Sequence, residues 1–263
     1  MGSFINTPEV PALSISQLSV NYDKVQVLWD INFTIPQGKI VGVIGPNGAG
    51  KSSLLKALLQ MIDPLSGKVE FFGLPFKKAR GRIAYVPQRS AIDWDFPITA
   101  IEVVMMGLYA KKGFFSWYGS KGKSSALQAL ATVGMAAFAD RQINQLSGGQ
   151  QQRVFIARAL MQDADIYFMD EPFSGVDMAT EQSMIHVLRD LKAQGKTLLL
   201  VHHDLNTVYE YFDWVVMLNT SLIACGPVEQ VCTTESLADT YGKESALLAE
   251  AMKLSLKRTS GLK

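Results

Sequence analysis

The chain has 263 residues, 48% of them hydrophobic, with 25 basic side chains against 24 acidic ones. That length buries a substantial core as one large or two small domains, and the near-zero charge balance argues against binding nucleic acid through bulk charge. No stretch approaches the roughly 20 uninterrupted apolar residues of a membrane-spanning helix. The N-terminus lacks the basic-then-apolar pattern of a secretory signal, and Asn6 stands where a myristoylated Gly2 would call for Ser or Thr. Cys225 and Cys232 fit no metal spacing and read as reduced thiols, so a cytoplasmic protein is expected. His186, His202 and His203 show no ligand spacing with Cys or Asp either, and no zinc site is expected.

In chain order, Leu13 to Ile35 alternates apolar and polar residues and reads as two strands around a turn at Asn21-Tyr22-Asp23. Pro36-Gln37-Gly38 breaks it. Lys39–Ile44 is a buried strand feeding a glycine loop, and a helix over Ser52–Met61 comes next. Asp63 to Gly67 is a turn cluster, with short strands at Val69–Phe72 and Ile83–Val86. From Thr99 to Ala139 the chain is rich in Ala, Met and Leu and reads as helical, interrupted by a surface stretch from Lys111 to Lys123. Helix and strand then alternate over Gln150–Met161, Ile166–Met169, Ala179–Ala193, Thr197–Val201, Leu205–Tyr211 and Trp214–Leu218. Such alternation predicts right-handed crossovers and a mostly parallel sheet covered on both faces. The tail from Pro227 reads as helical, ending in a polar, basic segment.

Gly45-Pro46-Asn47-Gly48-Ala49-Gly50-Lys51-Ser52 fits G-x-x-x-x-G-K-[ST] in full, with a strand before it and a helix, beginning Ser52-Ser53, after it. The glycines let successive backbone N–H groups point inward at phosphate oxygens, and the helix N-terminus adds its partial positive charge. Lys51 is expected on the β- and γ-phosphates of a nucleotide, and the Ser52 hydroxyl on Mg²⁺. This pattern alone does not separate a kinase from a GTPase or a motor.

Ile166-Tyr167-Phe168-Met169-Asp170-Glu171 is an apolar strand ending in two carboxylates. Ending beside the phosphate loop, it can set Asp170 in the coordination sphere of Mg²⁺. Neighbours on a strand point apart, so Glu171 is aimed differently and can address an attacking water. An acidic strand exit is common by itself, but the continuation through Pro172 to Ser174-Gly175-Val176-Asp177 adds to the functional reading. Leu146-Ser147-Gly148-Gly149-Gln150 places a Ser and a Gly-Gly nest at the start of a helix, a second anion site. Arg153 and Arg158 on that helix read as salt-bridged structural groups.

Together Gly45–Ser52 and Leu146–Gln150 resemble the ATP-binding cassette (ABC) ATPases, the motor subunits of ABC transporters, over about Leu18 to Gly226. The resemblance implies an α/β P-loop NTPase cassette with a mostly parallel core sheet, an N-terminal antiparallel β subdomain and an inserted α-helical subdomain. Its ABC domain would span residues 13–226, the helical insertion about 95–145, and a C-terminal helical extension 227–263. It also implies that two copies pack head-to-tail, so that the loop Gly45–Ser52 of one and Ser147, Gly148, Gly149 and Gln150 of the other sandwich each ATP. Ser174–Asp177 resembles the loop that crosses that interface. Gln88 matches the glutamine that touches Mg²⁺ and senses a membrane partner, and His203 the histidine that contacts the γ-phosphate. Tyr22 matches the aromatic that stacks on adenine; a turn tyrosine is an equal reading. Glu171 would act as general base. His202 is a bystander.

Without a membrane span, a transport role calls for separate integral-membrane permease subunits, with this chain on the cytoplasmic face of the membrane. Ile92-Asp93-Trp94-Asp95-Phe96-Pro97-Ile98-Thr99, with Val103 to Gly107, resembles the ATPases of manganese, zinc and iron uptake systems that use a metal-binding extracytoplasmic lipoprotein. Manganese ranks first. Trp94 and Phe96 would suit the socket for the permease, although for Trp94 a core position is an equal reading. A siderophore or other small-solute importer shares every catalytic residue, and an iron–sulfur assembly ATPase is a soluble alternative. Ribosome-associated members carry two cassettes, and repair members a long coiled coil for which Gln88 to Leu146 is too short.

Overall fold

Three runs, Ile40–Ile44, Ile166–Asp170 and Thr197–Val201, are buried at every position, as strands covered on both faces must be. The computed structural model describes residues 10–22, 25–108 and 119–242. Its strands are β1 (Leu13–Tyr22), β2 (Val25–Ile35), β3 (Ile40–Ile44), β4 (Ser66–Phe71), β5 (Leu74–Pro75), β6 (Ile83–Val86), β7 (Ile166–Asp170), β8 (Thr197–Val201), β9 (Trp214–Asn219) and β10 (Ser221–Pro227). The helices are α1 (Lys51–Leu58), α2 (Phe76–Ala79), α3 (Ala100–Met105), α4 (Gly119–Thr132), α5 (Gly148–Met161), α6 (Met178–Ala193), α7 (Val208–Tyr211), α8 (Val228–Val231) and α9 (Thr234–Tyr241).

Two sheets result. One is antiparallel in the order β2-β1-β4-β5; the other runs β10-β9-β3-β8-β7-β6 and is parallel except for the β9–β10 hairpin. Because side chains alternate along a strand, the central strands divide two cores between them. Ile40, Ile44, Tyr167, Met169, Leu198 and Leu200 face a core built with α3, α4, α5 and α6. Val41, Val43, Ile166, Phe168, Leu199 and Val201 face the other, with α1 and the antiparallel sheet. Thr99 starts α3 with a capping box: its amide and hydroxyl both donate to Glu102 Oε2, at 2.9 and 2.6 Å. The hydroxyl contact holds the Glu102 carboxyl below its ordinary range.

The structure departs from the sequence reading at several places. Strand β10 and the short β5–α2 segment have no clear periodicity and were not expected. The turn into β10 passes through Thr220 at φ 59°, and a β-branched residue there gives no turn signal. The helix expected from Leu205 begins only at Val208, because Asp204 Oδ1 accepts the Asn206 amide at 2.9 Å and closes a local turn first. Gly119–Lys123 belongs to α4 despite a poor helical composition; residues 111–118 of the expected interruption lie outside the described residues, as does 243–263 of the tail. Pro227 closes a strand before the tail turns helical at Val228.

Phe168 is fully buried and meets the edge of Phe71 at 6.0 Å and 84°, tying the antiparallel sheet to the strand that carries Asp170. Phe168→Ala is expected to lower the unfolding free energy by about 3–5 kcal/mol, read as a lower urea midpoint at unchanged slope.

Candidate active site

Most of the candidate residues, though not Tyr22 or Ser147–Gln150, stand at the carboxyl ends of neighbouring parallel strands, where ligands bind in open α/β sheets. β3 runs into the phosphate loop, β7 into Asp170 and Glu171, β8 into His202 and His203, and β6 into Gln88. Register makes these ends level: Val43 pairs with Val201, Asp170 with Val201, and Val86 with Met169. Two residues beyond that last pair, Gln88 Nε2 donates to Glu171 Oε2 at 3.0 Å.

The loop from Gly45 curls into α1 at Gly50, whose φ of 92° is left-handed. A Cβ on Gly50 would also lie 2.5 Å from Leu28 Cδ2 and 3.0 Å from the Val27 carbonyl oxygen, so β2 rests directly on the loop. The hairpin end beside β2 carries Tyr22, paired with Val25 and 41% exposed. Ala49 is buried, and Ser52 and Ser53 are half-buried in the first turn of α1. Lys51 Nζ donates to the carbonyls of Gly45 and Pro46, both at 2.8 Å, and is only 7% exposed. Burial draws its ammonium below the ordinary value, against the raising influence of Glu171 and Asp170.

Ser52 Oγ donates to Asp170 Oδ1 at 2.9 Å. Asp170 is 1% exposed, and burial pushes its carboxyl up, opposed by the Ser52 hydroxyl and by Lys56 and Lys51. A buried carboxylate and a hydroxyl side by side at a strand end are a hard-oxygen pair that fits a cation shared with phosphate oxygens. Glu171 sits at φ 48°, a left-handed conformation for a residue with a side chain, and its carbonyl accepts the Ser174 amide at 3.1 Å. The chain therefore leaves the strand at the residue that Gln88 engages.

His203 is exposed at the end of β8. Its neighbour His202 is 4% exposed, lies among Phe173, Tyr211 and Phe212, and bonds through Nε2 to Thr207 Oγ1 at 2.7 Å. Burial, and secondarily His203, pushes its imidazole down to about 4.

Ser147 caps α5 in a capping box: its hydroxyl accepts the Gln150 amide at 3.4 Å, and its own amide donates to Gln150 Oε1 at 2.9 Å. Gly148 and Gly149 form the first turn, Gly149 beside Gly175 and Val176. Among the described residues, no hydrogen bond or ion pair joins Ser147–Gln150 to Gly45–Ser53. The strand ends are thus brought together, while the α5 nest stands apart from them. Among the described residues Arg153 and Arg158 form no salt bridge of the kind expected: they donate to the carbonyls of Val133 and Tyr85, at 3.4 and 3.2 Å, and Arg158 also lies over the Phe155 ring. Arg89, Gln151 and Thr207 make side-chain contacts at this site that no motif marks.

Fold and site define a P-loop nucleotide-binding protein with a second helix-start nest. The family model described as "ABC transporter" matches residues 28–174. The chain is 56% identical over 231 residues to the zinc transport system ATP-binding protein TroB of Treponema pallidum, covering 88% of this chain and 87% of that one. It is 50% identical over 238 residues to the manganese transport system ATP-binding protein MntB of Bacillus subtilis, covering 90% and 95%. Among solved structures, it aligns with a metal-chelate type ABC transporter in an inward-facing conformation at a TM-score of 0.77 and 29% identity, covering 88% and 89%. It aligns also with an ATP-binding cassette in a dimeric post-hydrolysis state bound to ADP and Pi, at 0.74 and 28%, covering 82% and 98%. The chain belongs to the ABC transporter family as an ATP-binding subunit.

In the unfolded chain the His202 ring titrates near 6.5, in the folded one near 4. Between those values the unfolded state binds more protons, so stability present above pH 6.5 is lost as the pH falls towards 4, by about 3 kcal/mol in all. His202→Phe is expected to give a shallower loss of Tm on the acid side than the parent chain; equal slopes would contradict a buried, neutral His202.

Proposed function

We propose that this chain is the ATP-hydrolysing subunit of an importer of divalent metal ions, working as a pair of copies on membrane-embedded permease subunits. The observation that carries the reading is the Gln88–Glu171 contact at 3.0 Å, on the same sheet edge as the Ser52–Asp170 pair. Glu171 takes the proton of the attacking water, whose oxygen bonds in line to the γ-phosphorus as the bond to the bridging β-phosphate oxygen breaks and ADP leaves. Lys51 leaves its loop carbonyls for the β- and γ-phosphates and, with His203, stabilises the charge that develops there. Ser52 and Asp170, with Gln88, would hold a Mg²⁺ ion, which when bound would neutralise phosphate charge. Tyr22 stacks on the adenine, and Ser53 and the amides of Gly45–Gly50 line the phosphates.

Among the described residues the nest of Ser147, Gly148, Gly149 and Gln150 makes no hydrogen bond to the phosphate loop of its own chain, and a second copy related head-to-tail brings it a nucleotide to serve. Relatives named for zinc and manganese transport, at 56% and 50% identity, favour a transition-metal ion as cargo over a metal chelate, whose solved likeness stands at 29%. No helix among the described residues is long and apolar enough to cross a membrane, in keeping with a peripheral subunit on the cytoplasmic face. An extracytoplasmic metal-binding lipoprotein would deliver the cargo. Phe96, 61% exposed beside the half-buried Trp94, belongs to the permease-facing groove.

Glu171→Gln is expected to keep ATP binding, lower turnover by at least about a hundredfold, and accumulate an ATP-bound dimer on gel filtration. Normal turnover in that variant would remove Glu171 from its role. Chelation by EDTA should abolish turnover in the parent, and added Mg²⁺ restore it.

A further inference from the structure

One stripe of α5 grips the segment that carries Gln88. Gln151, Phe155 and Arg158 are spaced i, i+4 and i+7, so they share one helix face. Arg158 Nη2 donates to the Tyr85 carbonyl at 3.2 Å. Arg89 Nε donates to Gln151 Oε1 at 3.0 Å, and Gln151, 3% exposed, uses its amide nitrogen on the Ile143 carbonyl, also at 3.0 Å. The Trp94 indole donates to the Arg89 carbonyl at 2.9 Å and meets the edge of Phe155 at 5.2 Å. Arg89 is the centre of this seam, held by its side chain to the first turn of α5 and by its carbonyl to Trp94.

The contact explains Gly148 separately from any phosphate. A Cβ there would lie 3.0 Å from Arg89 Nε and 3.1 Å from its Cζ, so the missing side chain makes room for the guanidinium. The next residue back from Arg89 is Gln88, bonded to Glu171.

We propose that Arg89 is a positioning residue that couples the two ATP sites of the pair. It fixes the nest Ser147–Gly149, presented to the partner copy's nucleotide, to the Gln88 loop that engages Glu171 in its own site. This rests on the two-copy reading above. A shift of Gln88 at one nucleotide then moves the nest at the other, through one guanidinium and one buried amide. Arg89 touches neither ATP nor the reacting water.

The test is a double-mutant cycle in the full chain with Arg89→Ala and Gln151→Ala, with Arg89→Lys as the conservative control. Steady-state ATPase, nucleotide Kd by fluorescence titration and Tm are measured. Arg89 is exposed, so its replacement opens no core, and Arg89→Ala and Arg89→Lys alone decide the matter if Gln151→Ala does not fold. Arg89→Ala is expected to lower kcat about tenfold and bring the Hill coefficient for ATP from near two towards one, with Kd and Tm almost unchanged. The double variant should match the single, and Arg89→Lys should recover at least half of the activity. Parental kcat and Hill coefficient in Arg89→Ala, additive effects in the cycle, or a Kd weakened as much as kcat would each overturn the proposal. Turnover per chain independent of protein concentration in the parent would instead remove the two-copy reading, and the coupling with it.

Discussion

Val43 opposite Val201, Asp170 opposite Val201 and Met169 opposite Val86 fix the parallel register on which this site depends. A one-residue slip in any of these pairings would exchange the two buried faces of a strand, and with them the two cores. Register is therefore held by the whole interior, and the level strand ends are its by-product. Gln88 reaches Glu171 because their strands pair in step, with no dedicated contact needed to bring them there.

Charge is arranged around that edge at some cost. Lys51 and Asp170 are both buried, each drawn by burial towards its neutral form and each steadied by the other's charge. Holding the ammonium on two loop carbonyls and the carboxylate on a serine hydroxyl keeps the polar groups satisfied with few atoms. The same donors and acceptors suit a polyphosphate and its counter-cation, so binding replaces these bonds without leaving a charge stranded. Glu171 adds a left-handed backbone at the strand exit, of the kind that costs about 1–3 kcal/mol and persists where surrounding structure enforces it.

Most of the central sheet, and which candidate residues end its strands, could be read from the sequence, because continuous apolar runs ending in Gly, Asp-Glu or His-His mark buried strands clearly. The strands at Lys39, Ile83, Ile166, Thr197 and Trp214 stand within a residue or so of expectation. Asn21 and Tyr22 of the expected turn instead finish β1, paired with Gln26 and Val25, and Asp23 lies outside the described residues. What could not be read depended on contacts distant in sequence or on single residues in turns. Thr220 and Asp204 set local geometry through backbone conformation and one side-chain bond, neither of which leaves a periodic trace. Arg153 and Arg158 read as salt-bridged structural groups, whereas the fold offers them carbonyls. His202, set aside beside His203, is a core residue whose ring belongs with Phe173, Tyr211 and Phe212. Arg89 and Gln151 are far apart in the chain, and only the packing of α5 on the Gln88 segment shows why each is there.

The division of β3, β7 and β8 between two cores has a mechanical corollary. Their odd and even side chains pack into different cores, one with α3, α4, α5 and α6 and the other with α1 and the antiparallel strands. The sheet thus acts as a bulkhead: a side chain truncated on the helical side opens its cavity in one core and leaves the apolar bed of the phosphate loop filled.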